Sequence, residues 1–169
     1  MTQEQLKRAG VEIGAPKDGW YETKRLPKSL DFFEAYELWV EPGVGLCKVR
    51  AVGRTISSSS FGDQVKSEFN ALEKLLLAAY GRNKQFDFLR GGSIWADGNE
   101  WMMSMLKKER TLASFWDESE GSTMKDHVLR IALYANGLSI SRGFIEVVYE
   151  FDNVMACVDK RTARKSGAL

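Results

Sequence analysis

The stretches HVLRIALYA (residues 127–135) and GFIEVVYEF (residues 143–151) decide the fold. Leu129, Ile131, Leu133 and Ala135 fall on one face of the first, and Ile145, Val147, Tyr149 and Phe151 on one face of the second. This is the period of two expected of strands with one covered side. The intervening NGLSISR (residues 136–142) permits a hairpin. A slip of one residue would turn a whole apolar set to the wrong side, so only an even register keeps both sets together. The symmetric choice places Ile131 opposite Tyr149, Leu133 opposite Val147, Arg130 opposite Glu150 and Tyr134 opposite Glu146.

That register leaves a second face of Val128, Arg130, Ala132, Tyr134, Phe144, Glu146, Val148 and Glu150. It is half apolar and half charged. Solvent faces are normally more polar, and covered faces do not normally carry two glutamates. Arg130, Tyr134, Phe144, Glu146 and Glu150 are therefore candidate partner-binding residues. The simpler alternative is pairing within the sheet, with Arg130 bonded to Glu150 and the rings covering aliphatic neighbours.

Outward from this hairpin, YELWVEPGVGLCKVRAVGRTI (residues 36–56) reads as two strands around a turn at residues 41–43, and TLASFW (residues 111–116) as another strand. Val65, Phe69, Leu72, Leu76 and Tyr80 recur at helical spacing, and Leu75 and Leu77 widen that face. Gly81 is the expected stop, and Ser60 with Asp63 the expected capping pair at the start. Trp101, Met102, Met105 and Leu106 lie along one side of a shorter helix, with Met103 at its edge. Methionine-rich surfaces adapt to partners, so Trp101 and Met103 form a second candidate partner surface, although such stripes more often belong to a core. A last helix follows Asp152.

The predicted order is ββααβββα: an α+β fold whose antiparallel sheet of about five strands carries its helices mainly on one face. Residues 1–35, punctuated by Gly10, Gly14, Pro16, Gly19 and Pro27, read as an irregular leading arm, and residues 36–169 as a single α+β domain.

Twenty-four Lys and Arg against 23 Asp and Glu leave a net charge of +1, so no global field attracts a polyanion. Lys160, Arg161, Arg164 and Lys165 are the only basic cluster, read as a solvated helix end, and the balance argues against nucleic acid as a partner. No apolar run has the length of a membrane span or a signal peptide, which makes the cytoplasm the expected location. Cys47 and Cys157 would there be buried thiols; in an oxidising compartment they would be a candidate disulfide between an early strand and the last helix.

The four serines at residues 57–60 lack the glycines and lysine of a phosphate loop, and the single histidine, His127, excludes metal sites that need two imidazoles. No cofactor or metal is expected. The functional expectation is a small non-catalytic interaction protein, accessory or immunity-like, whose partner is another protein or its own copy as a homodimer. The competing expectation is a small-molecule-binding protein or enzyme with a pocket between helix and sheet, using His127 or a carboxylate.

Overall fold

In the computed structural model, which describes residues 1–167, strands β7 (Val128–Ser139) and β8 (Arg142–Phe151) form the central hairpin. Ile131 faces Tyr149, Leu133 faces Val147, Arg130 faces Glu150 and Tyr134 faces Glu146, as the alternation predicts. The register shifts between Val128 and Arg130, so the pattern breaks at one end. Val128 turns into the core there, and Leu129, expected inside, is exposed. A bulge of this kind carries no signature in hydrophobic alternation.

Around this hairpin lie β1 (Trp20–Thr23), β2 (Phe33–Glu41), β3 (Gly45–Gly53), β4 (Ile56–Ser57), β5 (Lys84–Leu89) and β6 (Arg110–Asp117). The sheet runs β1-β2-β3-β8-β7-β6-β5, with β4 on the end of β8 and every pairing antiparallel. It has eight strands rather than about five. The additional ones are short: β1 and β4 have four and two residues, and the alternation in mostly exposed β5 is confined to Phe86 and Phe88, too brief to mark a half-buried strand.

The leading segment is not an irregular arm. Its helix α1 (Gln3–Arg8) starts with a capping box between Thr2 and Gln5, and β1 pairs with β2. Leu6 and Val11 are buried against Tyr21, Tyr36, Leu38 and Val40. On the same side of the sheet, α2 (Asp63–Tyr80) and α3 (Trp101–Leu106) press Val65, Phe69, Leu72, Trp101 and Met102 onto Ile131, Leu133, Ile145 and Val147. Leu75 and Leu77 do not deepen that contact; both point to solvent.

The start of α2 also departs from the expected capping pair. Its N-cap is Gly62, in a left-handed conformation, and Ser60 and Asp63 do not cap each other. The neighbouring serines do that work. The Gln64 amide N–H donates to Ser58 Oγ (3.3 Å), the Gln64 side chain accepts from the Ser59 N–H (2.9 Å), and Ser59 Oγ donates to Asp63 (2.6 Å). The serine run is thus a helix start, and the hydroxyls of Ser58 and Ser59 are spent on the chain itself.

Helix α4 (Val154–Ser166) lies on the opposite side from the other three. Trp39 pairs with Lys48 while Val40 pairs with Leu46, which leaves Cys47 as the extra residue of a bulge and turns it toward Trp39. There Cys47 is joined to Cys157 by a disulfide, with Val154 packed alongside. The two cysteines are buried, but bonded rather than free. The basic cluster is likewise tied down: Arg164 pairs with the buried Glu41 at 2.9 Å, Arg161 and Lys165 both hold Asp18, and Arg161 lies over the Trp39 ring. Through these three residues the helix end is docked on the sheet rather than simply solvated.

Candidate interaction face

The side of the sheet away from α1, α2 and α3 is covered by α4 only at the corner of Trp39 and Cys47. Across the rest, the register lines up residues in rows perpendicular to the strands. One row runs Asp117, Arg130, Glu150, Lys48, Trp39, Trp20 from β6 to β1. The next runs Lys84, Phe115, Ala132, Val148, Arg50, Glu37, Glu22, and a third Phe86, Ala113, Tyr134, Glu146, Val52, Ala35.

Two charge networks occupy the middle of these rows. Glu150 accepts from Lys48 at 2.5 Å and from Arg130. Arg50 bridges Glu37 at 2.9 Å and Glu146 at 2.5 Å. Burial is the largest influence on the Glu150 carboxyl and would raise its pKa, but the hydrogen bonds from Lys48 and Arg130 together outweigh it and hold the group below its ordinary value. Each of these carboxylates is therefore paired: Glu150 with two cations, and Glu37 and Glu146 with the one guanidinium they share.

Toward the β5 edge the face becomes aromatic. Phe86, Phe115 and Tyr134 meet edge to face, with ring centroids 5.6 Å apart at both contacts, a geometry that adds to simple area burial. Burial, and after it the charges of Glu146 and Glu150, raises the Tyr134 hydroxyl pKa and keeps it a neutral donor. A hollow of about 320 Å³ lies between rings and ion pairs, lined by Phe115, Tyr134, Arg130, Lys48, Val148 and Glu150. A larger open hollow of about 730 Å³ lies near the far edge, where Trp20, Glu22 and Glu37 meet Lys17 and Asp18.

No family model, curated protein or solved structure matches this chain. The face is therefore interpreted from its own chemistry. Of the predicted residues, Arg130, Tyr134, Glu146 and Glu150 come together on it, and Phe144 lies on the same face opposite Asn136. Trp101 does not belong to a partner surface: only 4% exposed, it is a core residue of the opposite side, over Gly62. Met103, half-buried on the same short helix, is likewise remote from this face. Lys48, Arg50, Phe86 and Phe115 complete the face and were not among the candidates, because only the pairing of β3 with β8, of β6 with β7 and of β5 with β6 brings them beside the hairpin.

His127, the residue on which a catalytic reading depends, stands apart. Its Nδ1 lies 2.9 Å from Asp152 Oδ2 with both side chains well exposed. Both cysteines are in the disulfide, so no thiolate can pair with the imidazole. Among the described residues no group of three His, Cys, Asp or Glu side chains could hold a metal ion. The backbone accounts for the site differently. Asp126 and His127 both have positive φ, and the Val128 N–H donates to Lys125 O at 3.0 Å, the pattern of a tight turn that glycine favours. His127→Gly is therefore expected to raise stability by about 0.5–1 kcal/mol in chemical denaturation, by relieving left-handed strain at the turn. A loss of stability would show that the His127–Asp152 contact outweighs the strain.

Proposed function

We propose that the protein is a non-catalytic interaction module that holds another protein against the open face of its sheet. The observation that carries this reading is the aromatic and ion-paired surface across β3, β8, β7, β6 and β5, left uncovered by the helices that bury the other side. Because its carboxylates are already paired, the centre can be desolvated without stranding a charge, which is the usual obstacle to burying charged residues in an interface. Tyr134 and Phe115 offer amphipathic and apolar anchors of the type that dominates interface energetics.

The disulfide favours an oxidising working environment over the cytoplasm expected from the sequence. Among the described residues, no helix is long and apolar enough to cross a membrane.

Tyr134→Ala, Phe115→Ala and Glu146→Lys test the face. Co-purification from the protein's own cells after mild crosslinking should capture a stoichiometric partner with the parent chain. Each variant should weaken that association at least about tenfold, with the thermal transition of the free chain shifted by only a few degrees. Loss of folding in all three would make the face a structural surface instead. A small-ligand carrier is the second reading, drawn from the hollow at Trp20, Glu22 and Glu37, whose carboxylates and ring suit a cationic group. Native mass spectrometry showing a mass excess released on denaturation would favour it.

A further inference from the structure

Strand β5 ends the sheet, and among the described residues no element pairs with its outer side. Such an edge presents unpaired N–H and C=O groups and is a template for another strand unless protected by short length, charge, proline or a bulge. The strand has six residues, and of its two charges Asp87 is already paired with Arg110, which leaves Lys84 at one end. KQFDFL has no proline, and Phe88 is 53% exposed beside Phe86. We propose that β5 pairs antiparallel with β5 of a second copy, with the two-fold axis at Phe86.

The backbone fixes which residues are available. The Arg90 N–H donates to Glu109 O at 2.7 Å, one step beyond the Leu89 to Arg110 pair. Antiparallel ladders alternate, so Phe88, Phe86 and Lys84 also point their backbone groups at β6, while Leu89, Asp87 and Gln85 point theirs outward. A second copy must match that phase, which leaves two-fold positions at Gln85, Phe86, Asp87 or Phe88. Centring on Gln85 keeps only residues 84–86 within both strands. Centring on Asp87 sets Asp87 against Asp87 and Lys84 against Arg90, like charges directly opposite each other. Centring on Phe88 keeps only residues 87–89 within both strands and sets Phe86 against Arg90.

Centring on Phe86 removes these conflicts. Gln85 then faces Asp87 of the second copy twice, and Lys84 faces Phe88, a cation against a ring. Asp87 already gives one oxygen to Arg110 at 3.0 Å, leaving the other for the incoming Gln85 amide. Phe86 meets Phe86, so the series Tyr134, Phe115, Phe86 continues into its own mirror sequence, and the two open faces become one platform. The pairing does not depend on that face binding another protein.

The test uses the full chain. Both native cysteines are bonded to each other, so a single introduced cysteine is the only free thiol. In the proposed register residues 86 are a non-hydrogen-bonded pair with Cα atoms about 4.5 Å apart, within disulfide reach. Residues 88 of the two copies are offset by four positions, about 13 Å along the strand. Phe86→Cys should therefore form a covalent dimer under mild oxidation, and Phe88→Cys should stay monomeric on a non-reducing gel.

Sedimentation of the unmodified protein should show twice the 19.1 kDa chain mass. Gln85→Pro, which removes an outward N–H and leaves the β6 ladder intact, should weaken dimerisation at least about tenfold without changing the circular dichroism spectrum. A monomeric parent chain, crosslinking at residue 88 in place of 86, or a dimer indifferent to Gln85→Pro would each overturn the proposal. So would a monomer whose captured partner is lost with Gln85→Pro, which would give the edge to a foreign strand. Loss of a partner through Tyr134→Ala with the dimer intact reports on the open face alone.

Discussion

Replacing Cys47 and Cys157 together by alanine is expected to cost about 4–5 kcal/mol, the largest single effect in the molecule. The disulfide closes a loop of 110 residues, and restricting an unfolded chain over that span is worth roughly 4.7 kcal/mol in the chain-entropy description. For a chain of this length the loss corresponds to roughly 10–20 °C in Tm. Helix α4 does not depend on the bond alone, because Arg164–Glu41 and Arg161 over Trp39 still dock it. The variant should therefore fold, with early loss of α4 on heating. Thermal melts of parent and double variant, with and without reductant, are the check. Reductant should lower the parent to the level of the variant and leave the variant unmoved. A difference below about 1 kcal/mol would mean that the unfolded chain is already restricted by residual structure.

Gly62→Ala is expected to cost about 3 kcal/mol through two separable causes. Gly62 caps α2 with φ +76, a conformation that costs an L-residue about 1–2 kcal/mol. A Cβ there would also lie 2.1 Å from Cε3 of Trp101 and 2.4 Å from its Cζ3. That ring is fixed in the core and has Lys66 over its face at 4.5 Å, so it can retreat only by disturbing α3, adding about 1–3 kcal/mol of overpacking. Gly92→Ala separates the causes, because Gly92 has φ +79 and a Cβ added to it would meet nothing within 4 Å. Urea denaturation should show Gly92→Ala losing about 1–2 kcal/mol and Gly62→Ala clearly more. Equal losses would remove the ring from the account.

The central hairpin and its register were legible because two long strands alternate cleanly, and the requirement that both apolar sets face one way leaves little freedom. The long helix was legible for the same reason in its own period, down to its stop at Gly81. What escaped was structure whose stability comes from neighbours. Strand β5 is a strand because β6 pairs with it, and α1 is anchored by Leu6 against a sheet it does not adjoin in sequence. The bulge at Cys47 decides that the last helix crosses to the other face, and a bulge leaves no periodic trace. Half of the interaction face followed from one hairpin. The other half, Lys48, Arg50, Phe86 and Phe115, needed the strand order, because β3 joins β8 only after the chain has built everything between them.

That junction has a consequence in time. Val49 lies against Tyr149, so the first meander, β1 to β3, can be finished only by residues made about a hundred positions later. At roughly 5–20 residues per second on a ribosome, the inner edge of β3 waits about 5–20 s for its neighbour. During that interval the early strands are an incomplete half-sheet, open on the side destined to become the middle of the molecule. Emergence of β8 closes this edge and brings Cys157 to Cys47, so the newborn chain acquires its final sheet and its covalent link in one late event.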